Sequence, residues 1–303
     1  MFNILLTMSI VIFCGSLWRY FSPTEDSVSH YKKALTSTVF YLFLPALIID
    51  VIWQAPIQST AGPILITASM TLFIGMLLSF ISVKWITKDR SQQGVIILAS
   101  TFPNATYLGL PILSQVIGEQ AKSTAIQYDF LVCTPVLLSL GIIIAQRYGQ
   151  HNRPITRKER WLVPPLWAVV IGIGCNGFAI PKPTILENAL TTLAMAVVPL
   201  MLIVLGMSIR WQWPRMNEII GLAFISVMTL LLAPSLALFF GQPSGASAQL
   251  QLEMVLVAAM PTMVFGIVLS ERYGLDTHFY ASAVTLTSVL SLLSLPFWYG
   301  YLL

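Results

Sequence analysis

The chain has 303 residues, of which 56% are hydrophobic and only 9% charged, and its mean hydropathy is +0.81. Soluble domains carry roughly 25% charge, so a soluble globule of this composition could not cover itself with polar groups, and the remaining solvent is lipid. The net charge of +4 is spread between apolar runs and forms no continuous patch, which excludes nucleic acid as a partner and reads as loop charge that sets membrane topology.

Taken in chain order, the sequence predicts ten membrane-spanning helices. A crossing needs about 20 apolar residues, and runs of this kind cover 2–20, 34–53, 63–85, 94–117 and 123–146. A basic linker follows at 147–160, and five more runs cover 161–180, 189–209, 219–240, 252–270 and 279–302. The runs lack period-two alternation, which argues against strands. The first run has no basic residue before it, and its first positive charge, Arg19, comes at its end. That order is the reverse of a cleaved signal peptide, so the first helix is read as retained with its N-terminus outward. Cys14, Cys133 and Cys175 all fall inside apolar runs and read as small core residues, not as a disulfide or a metal site.

The positive charges test this count. Lys and Arg at or after runs one, three, five, seven and nine number 3, 3, 5, 2 and 1, whereas those after runs two, four, six and eight number 0, 1, 1 and 0. A missing or spurious helix would invert the alternation partway along. The bias places both termini on the outer side of the cytoplasmic membrane. Five runs precede the linker and five follow it. An odd number makes the halves 1–146 and 161–303 cross in opposite directions, so they would be inverted repeats. Proline recurs at matched places: Pro45 and Pro103 in runs two and four, Pro199 and Pro261 in runs seven and nine.

Two runs cannot be regular helices. Run four reads Phe102-Pro103-Asn104-Ala105-Thr106-Tyr107-Leu108-Gly109-Leu110-Pro111, and run nine reads Ala259-Met260-Pro261-Thr262-Met263-Val264-Phe265-Gly266. Proline removes a backbone donor and clashes with the preceding turn. Unwound backbone at mid-membrane leaves polar groups that lipid cannot satisfy, at several kcal/mol each, so protein, water or substrate has to supply partners. Interrupted segments at corresponding positions of two halves point to a transporter's binding site. Each half-helix that starts at a break carries roughly half a positive elementary charge and free N–H groups. Every Lys and Arg lies in a loop or at the end of a run, so an anion at mid-membrane would meet amides, Asn104 and Thr106, with no basic side chain. The candidate site is therefore Pro103, Asn104, Ala105, Thr106, Gly109, Pro261, Thr262, Met263, Val264 and Phe265, centred on Asn104 and Thr262.

Two acids lie within apolar runs. Asp129 and Asp50 are the candidates for coupling movement to H⁺ or Na⁺, since an intramembrane carboxylate is functional by default. Glu253 opens run nine, where a carboxylate suits the helix dipole. The sequence carries no phosphate-cradling loop and no His-Glu-x-x-His, and His30, His151 and His278 fall in loops, so an enzyme is not expected, nor a cofactor.

At the broken runs the sequence resembles the auxin efflux carrier family of secondary transporters, which includes bacterial carriers and the plant PIN-formed exporters. The resemblance rests on the 102–111 segment, Pro199-Leu200-Met201, Met260-Pro261-Thr262 and Ser270-Glu271-Arg272-Tyr273-Gly274-Leu275. It implies an all-α integral membrane protein of ten transmembrane helices in two inverted five-helix repeats, with broken crossover helices 4 and 9. Helices 1, 2, 6 and 7 would form a scaffold, often dimeric, and helices 3–5 and 8–10 a transport domain that moves like an elevator. By resemblance Asn104 takes the place of the family's substrate-contacting Asn. Phe265 stands where a polar residue is usual, which gives the pocket an apolar wall suited to a partly hydrophobic, auxin-like acid as much as to malonate or malate. The rival expectations are a sodium-coupled carrier of the bile-acid type and a receptor that binds the same ligand without moving it.

Overall fold

In a computed structural model the described residues are 2–22, 24–150, 164–209 and 215–303. They form helices, with no β-strand among them. In order these are α1 (Phe2–Phe21), α2 (25–54), α3 (Ile57–Ile86), α4 (Arg90–Thr101), α5 (105–116), α6 (Ala121–Tyr148), α7 (Pro164–Gly177), α8 (Thr184–Ser208), α9 (Ile219–Gly241), α10 (Ala248–Ala258), α11 (Phe265–Tyr273) and α12 (Thr277–Leu302). Six of them, α2, α3, α6, α8, α9 and α12, are long and apolar enough to cross a membrane. The chain is therefore a multi-pass membrane protein. The basic linker expected at 147–160 lies, from residue 151 on, outside the described residues.

Local chemistry sets the helix ends. The Asp89 carboxylate accepts from Ser91 N at 2.8 Å and starts α4, and Asp276 does the same for α12 through Phe279 N at 3.0 Å. Gly274, at φ 72°, takes the left-handed position that closes α11. Prolines inside the helices leave a second mark. Pro45, Pro111, Pro135 and Pro234 each follow a widened π turn, at Val39–Phe43, Ala105–Gly109, Asp129–Cys133 and Met228–Leu232. The residue four before each proline, whose carbonyl the ring would strike, is the middle residue of its π turn. Widening the turn is how the helix passes the ring without breaking. At Pro234 the freed carbonyl, Leu230 O, accepts from Trp298 Nε1 at 2.8 Å, so a neighbouring helix supplies the lost partner.

The helices pack in two sets. α1 runs along the second half of α8, and α2 is clasped by α7 and the first half of α8. In the second set α3 packs on α4 and α9, α10 on α9 and α6, and α12 on α9 and α11. The α1–α8 crossing is the tightest approach. A Cβ at Gly15 would strike the Ile203 carbonyl and lie 3.1 Å from Gly206 Cα, and one at Gly206 would strike the Ile12 carbonyl. Ser16 Oγ donates to Gly206 O at 3.0 Å across this contact, and Arg19 Nη1 donates to Met207 O and Ile209 O at the end of α8. Small residues let helices meet at van der Waals distance in lipid, where no hydrophobic force draws them together. Because backbone stands on both sides, neither helix can yield locally. Gly206→Ala is expected to cost about 1–3 kcal/mol, as overpacking does, read as a lower unfolding temperature in detergent, whereas Gly62→Ala, with open space around it, should change little.

Candidate functional site

The two breaks meet. Phe102, held extended (φ −102°, ψ 111°) by the proline after it, ends α4. Its carbonyl accepts from Met263 N at 3.1 Å, and Asn104 N donates to Pro261 O at 2.8 Å. These two bonds form an antiparallel bridge between Pro103 and Thr262. Each break thus supplies the backbone partners that lipid would deny the other.

On one side of this bridge lies a cavity of about 80 Å³. Pro103, Asn104, Ala105, Thr106 and Tyr107 line it from the first break, and Met263, Val264 and Phe265 from the second. Asp129, Phe130, Cys133, Thr134, Leu137 and Leu138 of α6 close another wall, and Phe40 and Leu44 of α2 the last. α5 and α11 both start at this cavity, and neither has a side-chain cap at its start. Among the described residues no Lys, Arg or His lines it.

Two polar side chains define its chemistry. Asn104 is 4% exposed, and its Nδ2 has no hydrogen-bond partner among the described residues. Buried amides are nearly always paired, so one left open at a cavity wall calls for an explanation. Asp129 is held from two sides: Thr106 Oγ1 donates to Oδ2, and Thr134 Oγ1 donates to Oδ1 at 2.8 Å. Thr106 belongs to the first break, so the carboxylate on α6 is tied directly to the crossover.

The sequence-derived set divides here. Pro103, Asn104, Ala105, Thr106, Met263, Val264, Phe265 and Asp129 come together around the cavity. Gly109, Pro261, Thr262 and Asp50 do not line it. Thr262, expected at the centre, is fully buried with its polar atoms already used: its N–H donates to Thr287 Oγ1 at 3.2 Å and its hydroxyl to Ala99 O at 2.8 Å. Both of its donors are spent in locking the bridge. Gly109 packs on Met260, whose Cγ would lie 3.3 Å from an added Cβ, and Pro261 contributes its carbonyl to the bridge. Asp50 faces a different cavity, bonded to Lys182 and 3.4 Å from Thr191 Oγ1. Lys182 is placed there because Asn176 Nδ2 donates to the Trp53 and Ala55 carbonyls at the end of α2, and Trp53 Nε1 donates to Ile180 O. Glu253 does not open its helix but is the sixth residue of α10 and is buried.

The family model described as "Membrane transport protein" matches residues 1–299. Among curated relatives, an uncharacterized transporter of Methanothermobacter thermautotrophicus is 26% identical over 275 residues, covering 88% of this chain and 87% of the relative. An uncharacterized transporter of Methanocaldococcus jannaschii is 24% identical over 310 residues, covering 99% and 98%. A protein of Rhizobium meliloti named "Putative malonate transporter" is 22% identical over 299 residues, covering 93% and 89%. The chain belongs to this membrane transport family, in agreement with the auxin-carrier resemblance of its crossover motifs.

Proposed function

We propose that this family member is a secondary active transporter that moves a small organic anion through the crossover cavity by an elevator-like alternation. The observation that carries the reading is the unpartnered amide of Asn104 at the cavity wall. A carboxylate is the partner it lacks. Hydrogen bonds to charged groups are worth about 1.5–3 kcal/mol, and the positive ends of α5 and α11 add to them without a basic residue. Binding through amides alone suits a carrier, which has to release what it binds.

In this reading the described helices make ten spans in two inverted repeats, with broken helices 4 and 9 as α4–α5 and α10–α11. The set α1, α2, α7 and α8 is the scaffold, and it is also the face through which two copies would pair. The second set carries the cavity. Both termini face outward from the cytoplasmic membrane, as the charge bias indicates. Malonate, from the name of one relative, and an indole acid, from the apolar wall, are the two substrates to test. Asp129 is the coupling group, carrying H⁺ or Na⁺.

Uptake of each labelled acid into proteoliposomes, with H⁺ or Na⁺ gradients imposed separately, tests this. Accumulation driven by one gradient supports it, and strict Na⁺ dependence would favour the sodium-coupled alternative. Saturable binding with no counterflow would favour a receptor. Phe265 sets the selectivity. Phe265→Ser is expected to shift the ratio of malonate to indole-acid transport toward malonate by about tenfold, the scale of a changed apolar pocket contact, measured as competing initial rates.

A further inference from the structure

A second cavity, of about 740 Å³, lies between the end of α2, the α5–α6 connection, α8 and the start of α10. Four charged side chains line it: Asp50, Glu119, Lys122 and Glu253. Asp50 is held by Lys182, and Glu119 and Lys122 hold each other. Glu253 is different. It is 5% exposed and lies about 8 Å along α10 from the helix start, by the rise of 1.5 Å per residue. Thr124 Oγ1 donates to its Oε2, and Gln249 Nε2 donates to its Oε1 at 3.0 Å. No cationic side chain pairs with it among the described residues.

The helices packed against α10 are α3, α5, α6, α9 and α12. α9 carries no ionisable residue, α3 only Lys84 in its last turn, and α5 only Tyr107. α12 carries His278 and Tyr280, Tyr299 and Tyr301, and α6 carries Lys122, Tyr128, Asp129, Cys133, Arg147 and Tyr148. Of all these only Lys122 shares the cavity with Glu253, and Glu119 occupies it. A carboxylate in a membrane protein with no counter-charge is costly. Both groups that touch it are donors, a hydroxyl and an amide N–H, which steady an ionised carboxylate but do not present the ring of oxygens a metal cation needs.

We propose that Glu253 binds and releases a proton through this cavity, as a titrating station separate from Asp129 and fixed on the broken helix α10. Its part in transport rests on the carrier reading above: a helix that slides against the scaffold takes Glu253 out of this cavity, and the residue can make that move cheaply only when neutral. Glu253 and Asp129 share one design. Each is a carboxylate that accepts from a threonine hydroxyl, with a second donor on its other oxygen, and Thr124 and Asp129 lie five residues apart on α6. No hydrogen bond joins the two sites among the described residues, so each loads from its own cavity.

Carbodiimide labelling of the full chain in nanodiscs tests this without a substrate. Dicyclohexylcarbodiimide adds across its C=N bond to a protonated carboxyl in apolar surroundings, and the adduct is mapped by peptide mass spectrometry. Labelling of Glu253 is expected to grow as the pH is lowered and should fall about tenfold per pH unit above its midpoint, as a single titrating group does. Glu253→Gln should remove the label at this position without lowering the unfolding temperature. Absence of label at every pH, label that does not vary with pH, or protection by Na⁺ at fixed pH would each overturn the assignment. If Glu253 titrates but Glu253→Gln still accumulates malonate or indole acid under a pH gradient as the wild type does, its coupling role is overturned. If Glu253 titrates and the wild type moves neither acid, the carrier reading fails and the proton site stands.

Discussion

Replacing Asn104 with Ala is expected to weaken anion binding and transport by about ten- to a hundredfold while leaving the fold as stable as before or more so. The two halves of that expectation come from the same atom. Nδ2 is buried with no hydrogen-bond partner among the described residues, and an unsatisfied buried donor costs about 1–3 kcal/mol. Removing it returns that cost, less what the small void left behind takes away. When a carboxylate is bound, the same N–H makes a bond to a charged group worth about 1.5–3 kcal/mol, which sets the size of the loss. Function and stability are then opposed at one residue, as they are at sites built for a ligand. Isothermal titration with malonate and an indole acid, paired with thermal unfolding of the same preparations, checks both. A variant that loses stability and binding together would make Asn104 a structural amide and remove it from the site.

Much of this arrangement could be read from the residues alone, because it follows from solvent and charge. The apolar runs, the Lys and Arg alternation and the two proline breaks are local facts, and most helices of the fold begin and end within a turn or so of the expected bounds, although α2 starts at 25 where 34 was expected and α3 at 57 where 63 was expected. Asn104 and Asp129 stood out because polar groups at membrane depth are rare. What could not be read depends on which atoms meet across the fold. Thr262 looked like a ligand group until Ala99 O and Thr287 Oγ1 were seen to take its hydrogen bonds. Phe40 and Leu44 line the cavity from α2, where Pro45 marked that level but nothing in the sequence showed which face would meet the crossover. Thr134 reaches Asp129 from five residues on, a spacing that the π turn at Asp129–Cys133 creates and a regular helix would not. The position of Pro135 was a usable signal for that turn, since each π turn that precedes a proline in this fold is centred four residues before it. Glu253 was misread because run nine was begun four residues late: α10 starts at Ala248, capped by Ser247 Oγ accepting from Leu250 N, which moves the carboxylate from the helix start into its interior.

The second large effect concerns Asp129. An anion in the crossover cavity and an ionised Asp129 would face each other with no cation between them. Two unit charges roughly 6 Å apart at an effective dielectric constant near 20 repel by about 3 kcal/mol, so the anion binds best when Asp129 carries a proton. The sign then follows. In the wild type, anion affinity should be highest at acid pH and fall as pH rises through the titration of Asp129, because ionisation of the carboxylate opposes the ligand. Asp129→Asn is neutral at every pH, keeps an oxygen that can accept from Thr106 or Thr134, and should bind the anion at alkaline pH about a hundredfold more tightly than the wild type, the equivalent of that repulsion at about 1.4 kcal/mol per tenfold. Its affinity should no longer vary with pH. The same change should abolish accumulation driven by a pH gradient, since the proton no longer has a place beside the substrate, while exchange of labelled for unlabelled anion continues. Binding isotherms across pH, together with gradient-driven uptake and counterflow in proteoliposomes, separate these effects. An Asp129→Asn variant whose affinity still tracks pH like the wild type would place the titrating group elsewhere, and one that loses counterflow as well would make Asp129 part of the frame that holds Thr106 and the crossover in place, with no part in coupling.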